Sequence, residues 1–226
     1  MKKVIIAVVA LCALATPSHA AKIWAEKADN GKGFVIHLQG VIVKSDANNF
    51  TKVVKENKIG PKEAIVYLDS GGGDTGSSIP IGKMIKRMGW NTYVEENRTC
   101  MSACAMIWVP GTKRYMTPNS RIGFHSTSFW TNLKKRNDAG NETVMAYYRE
   151  LGIPPYIGRV FLAADPTRYI MLTPDLAASL NIDVAYSILP TKTKTDPDPA
   201  AAKAVTTIKI FPDKLIKELD KEKETK

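Results

Sequence analysis

The sequence has little with which to bind a metal ion. Three histidines and three cysteines are spread over 226 residues, and one of each falls within the first twenty. The remainder, His37, His125, Cys100 and Cys104, lacks the paired, closely spaced ligands of a zinc set, so no metal is expected. Long apolar runs are scarce too. The longest, Val4 to Ala15, falls short of the roughly 20 residues a helix needs to cross a bilayer. The one glycine run, Gly71 to Gly73, is not followed by Gly-Lys-Ser/Thr, and its match to Gly-x-Gly-x-x-Gly (Gly71, Gly73, Gly76) lies inside the run itself. A nucleotide-phosphate loop is therefore not indicated, and no cofactor is expected.

What is present at the N-terminus is Lys2-Lys3, a short apolar core, and a small-x-small site at Ser18-His19-Ala20. This pattern predicts a secretory signal peptide over residues 1–20, with cleavage after Ala20. Leu11 precedes Cys12 where a lipidated cysteine would want a small residue, so no acyl anchor is expected. The predicted destination is the periplasm or the exterior, with no membrane association required after cleavage. Removing residues 1–20 takes away two lysines and no acids, so the net charge falls from +10 to +8. The excess lysines are dispersed along helix faces and the tail rather than interleaved with aromatics, so nucleic acid is not an expected partner. An exported chain meets oxidising conditions. Cys100 and Cys104 then leave two readings open: a disulfide closing a small loop, or two small buried thiols.

The rest reads as one domain over residues 21–189, a linker over 190–203 and a charged, helix-prone tail over 204–226. The linker is a shift to Thr, Lys, Asp, Pro and Ala, and the tail has only Leu215, Ile216 and Leu219 as an apolar stripe. Within the domain, residues 21–33 read as an irregular lead-in. Phe34–Leu38 and Val41–Val43 read as strand, and Ser45 or Asp46 caps a helix bearing Phe50, Val53 and Val54. Ala64–Leu68 is expected to be a strand buried on both faces. It leads into the glycine run and a helix in which Pro80 is tolerable only in the first turn. Asn91–Val94, Tyr115–Met116 and Arg121–Phe124 are further strands. Residues 126–164 form a helical excursion with a polar, basic start from Asn132 to Gly140, a helix near Glu142–Leu151, a break at Gly152–Pro155 and another helix through Phe161. Tyr169–Leu172 is a strand, Thr173 caps a short helix, Asn181 ends it, and Ala185–Leu189 is the last strand. Short strands alternating with helices predict an α/β layered fold with a largely parallel sheet flanked by helices.

The chemistry centres on Arg98-Thr-Cys-Met-Ser-Ala-Cys-Ala-Met-Ile-Trp108, where Ser102 precedes an apolar run. Such a serine is commonly a helix cap, and a histidine ending a strand, as His125 does, is commonly structural. The glycine run has three readings: a phosphate cradle, a plain turn, or a loop presenting N–H groups to a developing oxyanion.

Three segments together resemble a known family: Leu68-Asp-Ser-Gly-Gly-Gly73, Cys100-Met-Ser-Ala-Cys104, and Lys113-Arg-Tyr-Met-Thr-Pro-Asn-Ser-Arg-Ile-Gly-Phe-His125. They look like the proteolytic subunit of the Clp protease and, more broadly, the Clp/crotonase superfamily. Met171 to Asp183 is similar to that family's closing helix, and the resemblance spans about residues 35–189. It implies a Clp/crotonase-type fold and an exported serine peptidase-like hydrolase acting on polypeptide through an acyl-enzyme. The implied roles are Ser102 as nucleophile, His125 as general base, Asp165 as the carboxylate that orients the base, and the N–H groups of Gly73 and Ala103 as oxyanion hole. The chemistry is coherent: an imidazole must take the hydroxyl proton, and a carboxylate must hold its tautomer. Cys104 stands where the family has glycine, and the excursion before Asp165 is shorter than the one through which Clp subunits build rings. Ring assembly is therefore not implied, and a homo-oligomer stays open. Two other readings remain: a non-catalytic peptide-binding or scaffolding protein on the same fold, and crotonase-type thioester chemistry, which needs no Ser/His pair.

Overall fold

The computed structural model describes residues 20–29 and 31–186. The expected signal peptide before Ala20, the expected linker and tail, and the expected strand beyond Tyr186 lie outside the described residues. In chain order the elements are β1 (Lys22–Lys27), β2 (Phe34–Gln39), α1 (Asp46–Glu56), β3 (Ala64–Asp69), α2 (Thr75–Met88), β4 (Asn91–Val94), β5 (Thr99–Met101) and α3 (Ala103–Trp108). They continue with β6 (Arg114–Met116), β7 (Arg121–Phe124), β8 (Ser128–Phe129), β9 (Asn132–Arg136), α4 (Asp138–Glu150), α5 (Pro155–Phe161), β10 (Ile170–Met171), α6 (Pro174–Ser179) and β11 (Ala185–Tyr186).

The main sheet has the strand order β1-β2-β3-β4-β6-β11. Only β1 runs antiparallel to its neighbour; β2, β3, β4, β6 and β11 are parallel. A smaller sheet, β10-β7-β5, carries β5 parallel and β10 antiparallel to β7. The protein is thus an α/β fold with a mostly parallel central sheet flanked by helices.

The core forms on the sheet face bearing Ile36, Leu38, Val66 and Leu68, packed with Phe50, Ile81, Ile85 and the whole of α3. Each such aliphatic side chain contributes about 1.5–3 kcal/mol by leaving water. All six residues of α3 are buried, so this short helix is held by its surroundings rather than by propensity. Tyr147 Oη donates to the Met106 carbonyl at 2.9 Å, and Trp108 Nε1 donates to the Tyr115 carbonyl at 3.2 Å.

Several expectations are corrected. Residues 22–27 are not irregular: Trp24 pairs with His37 across β1 and β2, their rings stacked 4.3 Å apart. β3 is buried on one face only, since Ala64, Val66 and Leu68 are inside while Ile65, Tyr67 and Asp69 are half-buried. Its outer face belongs to an aromatic ladder, His37, Tyr67, Tyr93 and Tyr115, in edge contact from strand to strand. Val41 and Ile42 form isolated bridges, to Ala20 and Gly73, rather than a strand. Pro80 lies well inside α2, which begins at Thr75 behind an Asp74 cap accepting the Ser77 N–H. Pro80 is exposed, so the missing donor falls on the wet side of the helix. The polar start of the excursion is the hairpin β8–β9, and the helix expected near Glu142–Leu151 is α4. Ser45 makes no capping bond; Asp46 instead takes the Val43 N–H and the Asn49 amide. The Thr173 cap and the left-handed Asn181, φ 52°, are as expected.

Candidate active site

Three parallel strands end together at one edge of the fold. β3 runs alongside β5, with the Ser70 N–H on the Thr99 carbonyl at 2.7 Å and the Met101 N–H on the Ser70 carbonyl at 2.9 Å. β5 pairs with β7 so that Met101 faces Gly123, and the Ser102 N–H donates to the Gly123 carbonyl at 2.8 Å. The glycine loop, Ser102 and His125 are the residues at which these strands stop. Beyond the carboxyl ends of parallel strands is where α/β sheets leave room for ligands. A cavity of about 560 Å³ opens there, lined among others by Gly71, Gly72, Gly73, Ser102 and His125.

Ser102 is the turn between β5 and α3, with φ 55° and ψ −121°. A side chain in that region costs on the order of 1–3 kcal/mol and persists only where its surroundings impose it. A serine on a sharp strand-to-helix turn is also how some hydrolases lift a nucleophile clear of the backbone. Ser102 makes no side-chain cap bond to α3, so the capping role does not account for it. Around it, Cys100 and Cys104 are both fully buried. Their sulfur atoms lie at bonding distance, 2.06 Å, with Cα atoms 5.0 Å apart. Of the two readings of these cysteines, the structure has the bridged one, and the bridge spans the turn.

The glycine loop is shaped by contacts that exclude side chains. A Cβ on Gly72, at φ 99°, would sit 2.7 Å from both the Met101 carbonyl oxygen and Ser102 Cβ. One on Gly73, at φ 140°, would sit 2.1 Å from the Ile42 carbonyl oxygen. Ile42 donates to the Gly72 carbonyl and accepts from the Asp74 N–H, at 2.9 and 2.8 Å. Because Ile42 spends both bonds on the residues either side of Gly73, the Gly73 N–H is turned away from it. Among the described hydrogen bonds, none uses the N–H of Gly73 or of Ala103.

His125 is half-buried, and its ring meets Tyr169 edge-on with centroids 4.9 Å apart. Burial holds its pKa below the ordinary histidine value, partly offset by the adjacent Ser126 backbone. Its Nδ1 is buried and has no hydrogen-bond partner. Asp165 is exposed, in the turn whose carbonyl accepts the Arg168 N–H at 2.9 Å. The Ser126 N–H donates to Ala164 at 2.9 Å, which sets the Asp165 backbone one residue from the His125 strand. Among the described hydrogen bonds and ion pairs, none joins Asp165 to His125 or His125 to Ser102. Ser102, His125 and Gly73 line one cavity, with Ala103 next to Ser102 at the start of α3, whereas Asp165 is an exposed residue outside that lining.

Sequence reasoning missed Tyr169 as the ring against His125. It also missed the β8–β9 hairpin, whose Trp130 and Leu133 line the same cavity while remaining 67% and 60% exposed. Neither had a local signal: Tyr169 meets the histidine only through the β10–β7 pairing, and the hairpin lacks apolar alternation.

No family model and no curated protein matches the sequence. Among solved structures, the chain is similar to a mutant of the membrane-bound stomatin-specific protease 1510-N. The TM-score is 0.49 and the identity 18%, over 67% of this chain and 78% of that one. A likeness of that degree assigns no role to any residue.

Proposed function

We propose that this chain is an exported serine hydrolase of the Clp/crotonase type that cleaves polypeptide through an acyl-enzyme, residues 1–20 serving as its signal peptide. The observation that carries the reading is Ser102, held at φ 55° on a strand-to-helix turn without a cap bond and facing a cavity shared with His125 and the glycine loop. In this reading the Ser102 hydroxyl attacks the substrate carbonyl while His125 takes its proton. The tetrahedral oxyanion is met by the N–H groups of Gly73 and Ala103, the latter at the start of α3. His125 then protonates the leaving amine, and water, activated by the same ring, releases the acyl group. A depressed histidine pKa suits a base that must be neutral to begin. Asp165 orients the imidazole once substrate draws its turn inward; such contacts are often loose before substrate binds.

Turnover of peptidyl esters by the mature protein tests the reading. Ser102→Ala should lower it at least about 10³-fold with the fold intact. Equal turnover in both proteins would refute the assignment.

The solvent-exposed Asp165 and the unpartnered Nδ1 of His125 favour a second reading, a non-catalytic peptide-binding protein on the same fold. Its signature is a peptide bound equally by the wild type and by Ser102→Ala, and recovered uncut from both.

A further inference from the structure

Asp46 is completely buried. Its Oδ2 accepts the Val43 N–H at 2.8 Å and the Ala21 N–H at 3.3 Å, and its Oδ1 accepts the Asn49 side-chain amide at 3.1 Å. Among the described residues no ion pair involves it. A carboxylate out of water is costly unless it is paired as well as hydrogen-bonded, and here every donor is neutral. One of them, however, is the backbone nitrogen of the residue that follows the expected signal-peptide cleavage site, and Ala21 is itself buried.

We propose that Asp46 is a binding site for the processed N-terminus: cleavage after Ala20 turns the Ala21 nitrogen into an ammonium, which forms a buried ion pair with Asp46. The proposal rests on the reading of residues 1–20 as a signal peptide. The cleavage is a hydrolysis; water adds across the Ala20–Ala21 peptide bond, Ala20 leaves as a carboxylate, and the freed amine takes up a proton. The uncleaved chain offers Asp46 one amide proton, whereas the mature chain offers a full charge with three protons at the same place.

The pair reaches the candidate active site through three residues. Asp46 holds the Val43 N–H, and the neighbouring Ile42 donates to the Gly72 carbonyl and accepts from the Asp74 N–H. Val41 lines the cavity itself. Processing would therefore tighten the wall against which Gly72 and Gly73 are set, and an unprocessed precursor would hold that wall less firmly.

The experiment uses the chain from Ala21 to Lys226, released from a fusion whose protease leaves no extra residue, beside the same chain carrying one additional N-terminal methionine. Each is made with Asp46 and with Asp46→Asn. The pair predicts that the added methionine lowers Tm by roughly 5 °C or more, and that Asp46→Asn is much more damaging in the Ala21-start protein than in the extended one, a non-additive cycle. Amide exchange at Ile42 and Asp74 should quicken about tenfold in the extended form. If Asp46→Asn does not fold, reactivity decides: the Ala21 amine should resist a water-soluble acylating reagent about tenfold more than the amine of the added methionine. Additive Tm effects, or equal reactivity of the two amines, overturn the ion pair. The intact mass of the exported protein tests the reading beneath it separately, since a start other than Ala21 overturns the processing site whatever the cycle shows.

Discussion

Alanine substitution along the glycine loop separates the account from a plain turn, because the three positions have different surroundings. At Gly73 the added Cβ would lie 2.1 Å from the Ile42 carbonyl oxygen and 2.9 Å from its carbonyl carbon and nitrogen. All three are backbone atoms, so no side chain can rotate away, and the loop must part from Ile42 by roughly 1.5 Å to reach ordinary contact. The φ of 140° adds strain. Strain and overpacking together come to roughly 2–6 kcal/mol, a fall in Tm on the order of 10 °C. At Gly72 the Cβ meets Ser102 Cβ and the Met101 carbonyl oxygen, each at 2.7 Å. Gly72→Ala should therefore displace the serine itself, and a displacement near 1 Å costs about 10²-fold in rate. Gly71 is exposed and has nothing within 4 Å of its Cβ position, so Gly71→Ala should change stability by less than about 0.5 kcal/mol. Thermal unfolding of the three variants, paired with the rate of Ser102 acylation by an active ester, reads both effects. If Gly73→Ala and Gly71→Ala unfold at the same temperature, and Gly72→Ala acylates as fast as wild type, the proposed fit between loop and serine is wrong.

Three further outcomes follow from the site. Because burial depresses the His125 pKa, the neutral base persists to lower pH, and the acid limb of the acylation rate should have its midpoint below the ordinary value of about 6.5; a midpoint above it would mean that a carboxylate already pairs with the ring. Asp165→Asn should leave Tm within about 1–2 °C, the side chain being exposed, yet lower turnover by 10² or more if the carboxylate orients the base; an unchanged rate removes Asp165 from the mechanism. Replacing Cys100 and Cys104 together by alanine should cost roughly 2 kcal/mol from the small loop they close and slow Ser102 acylation, as the bridge spans the serine's turn; a stability loss with no change in acylation would make the bridge purely structural.

What could be read in advance divides along physical lines. β3 with its glycine loop and β7 with His125 were legible because each couples an apolar run to a turn residue at its end; β5, only Thr99–Met101, carries no such run, and its place beside β7 comes from the parallel pairing that brings the three ends together. The edge strand β1 was not: Lys22, Glu26 and Lys27 surround Trp24, so no alternation marks it, and it is placed by its antiparallel pairing with β2, across which Trp24 stacks on His37. The β9 strand, exposed along its whole length, carries no burial signal at all. Pro80 suggests a helix start in sequence, but the helix has already begun at Thr75 because Asp74 caps it. At the site itself, the residue types were visible and the backbone was not. Nothing in Cys-Met-Ser-Ala-Cys discloses a serine at φ 55°, and nothing in Asp165-Pro-Thr-Arg discloses that Asp165 is exposed.

The central claim is that Ser102 is a nucleophile, and a fluorophosphonate probe tests it most directly. Incubated with the mature protein and mapped by mass spectrometry after digestion, the probe should be found on Ser102, with labelling abolished in Ser102→Ala and slowed at least about tenfold in His125→Ala. Labelling of equal extent in wild type and Ser102→Ala, or none in a folded wild type, would contradict it.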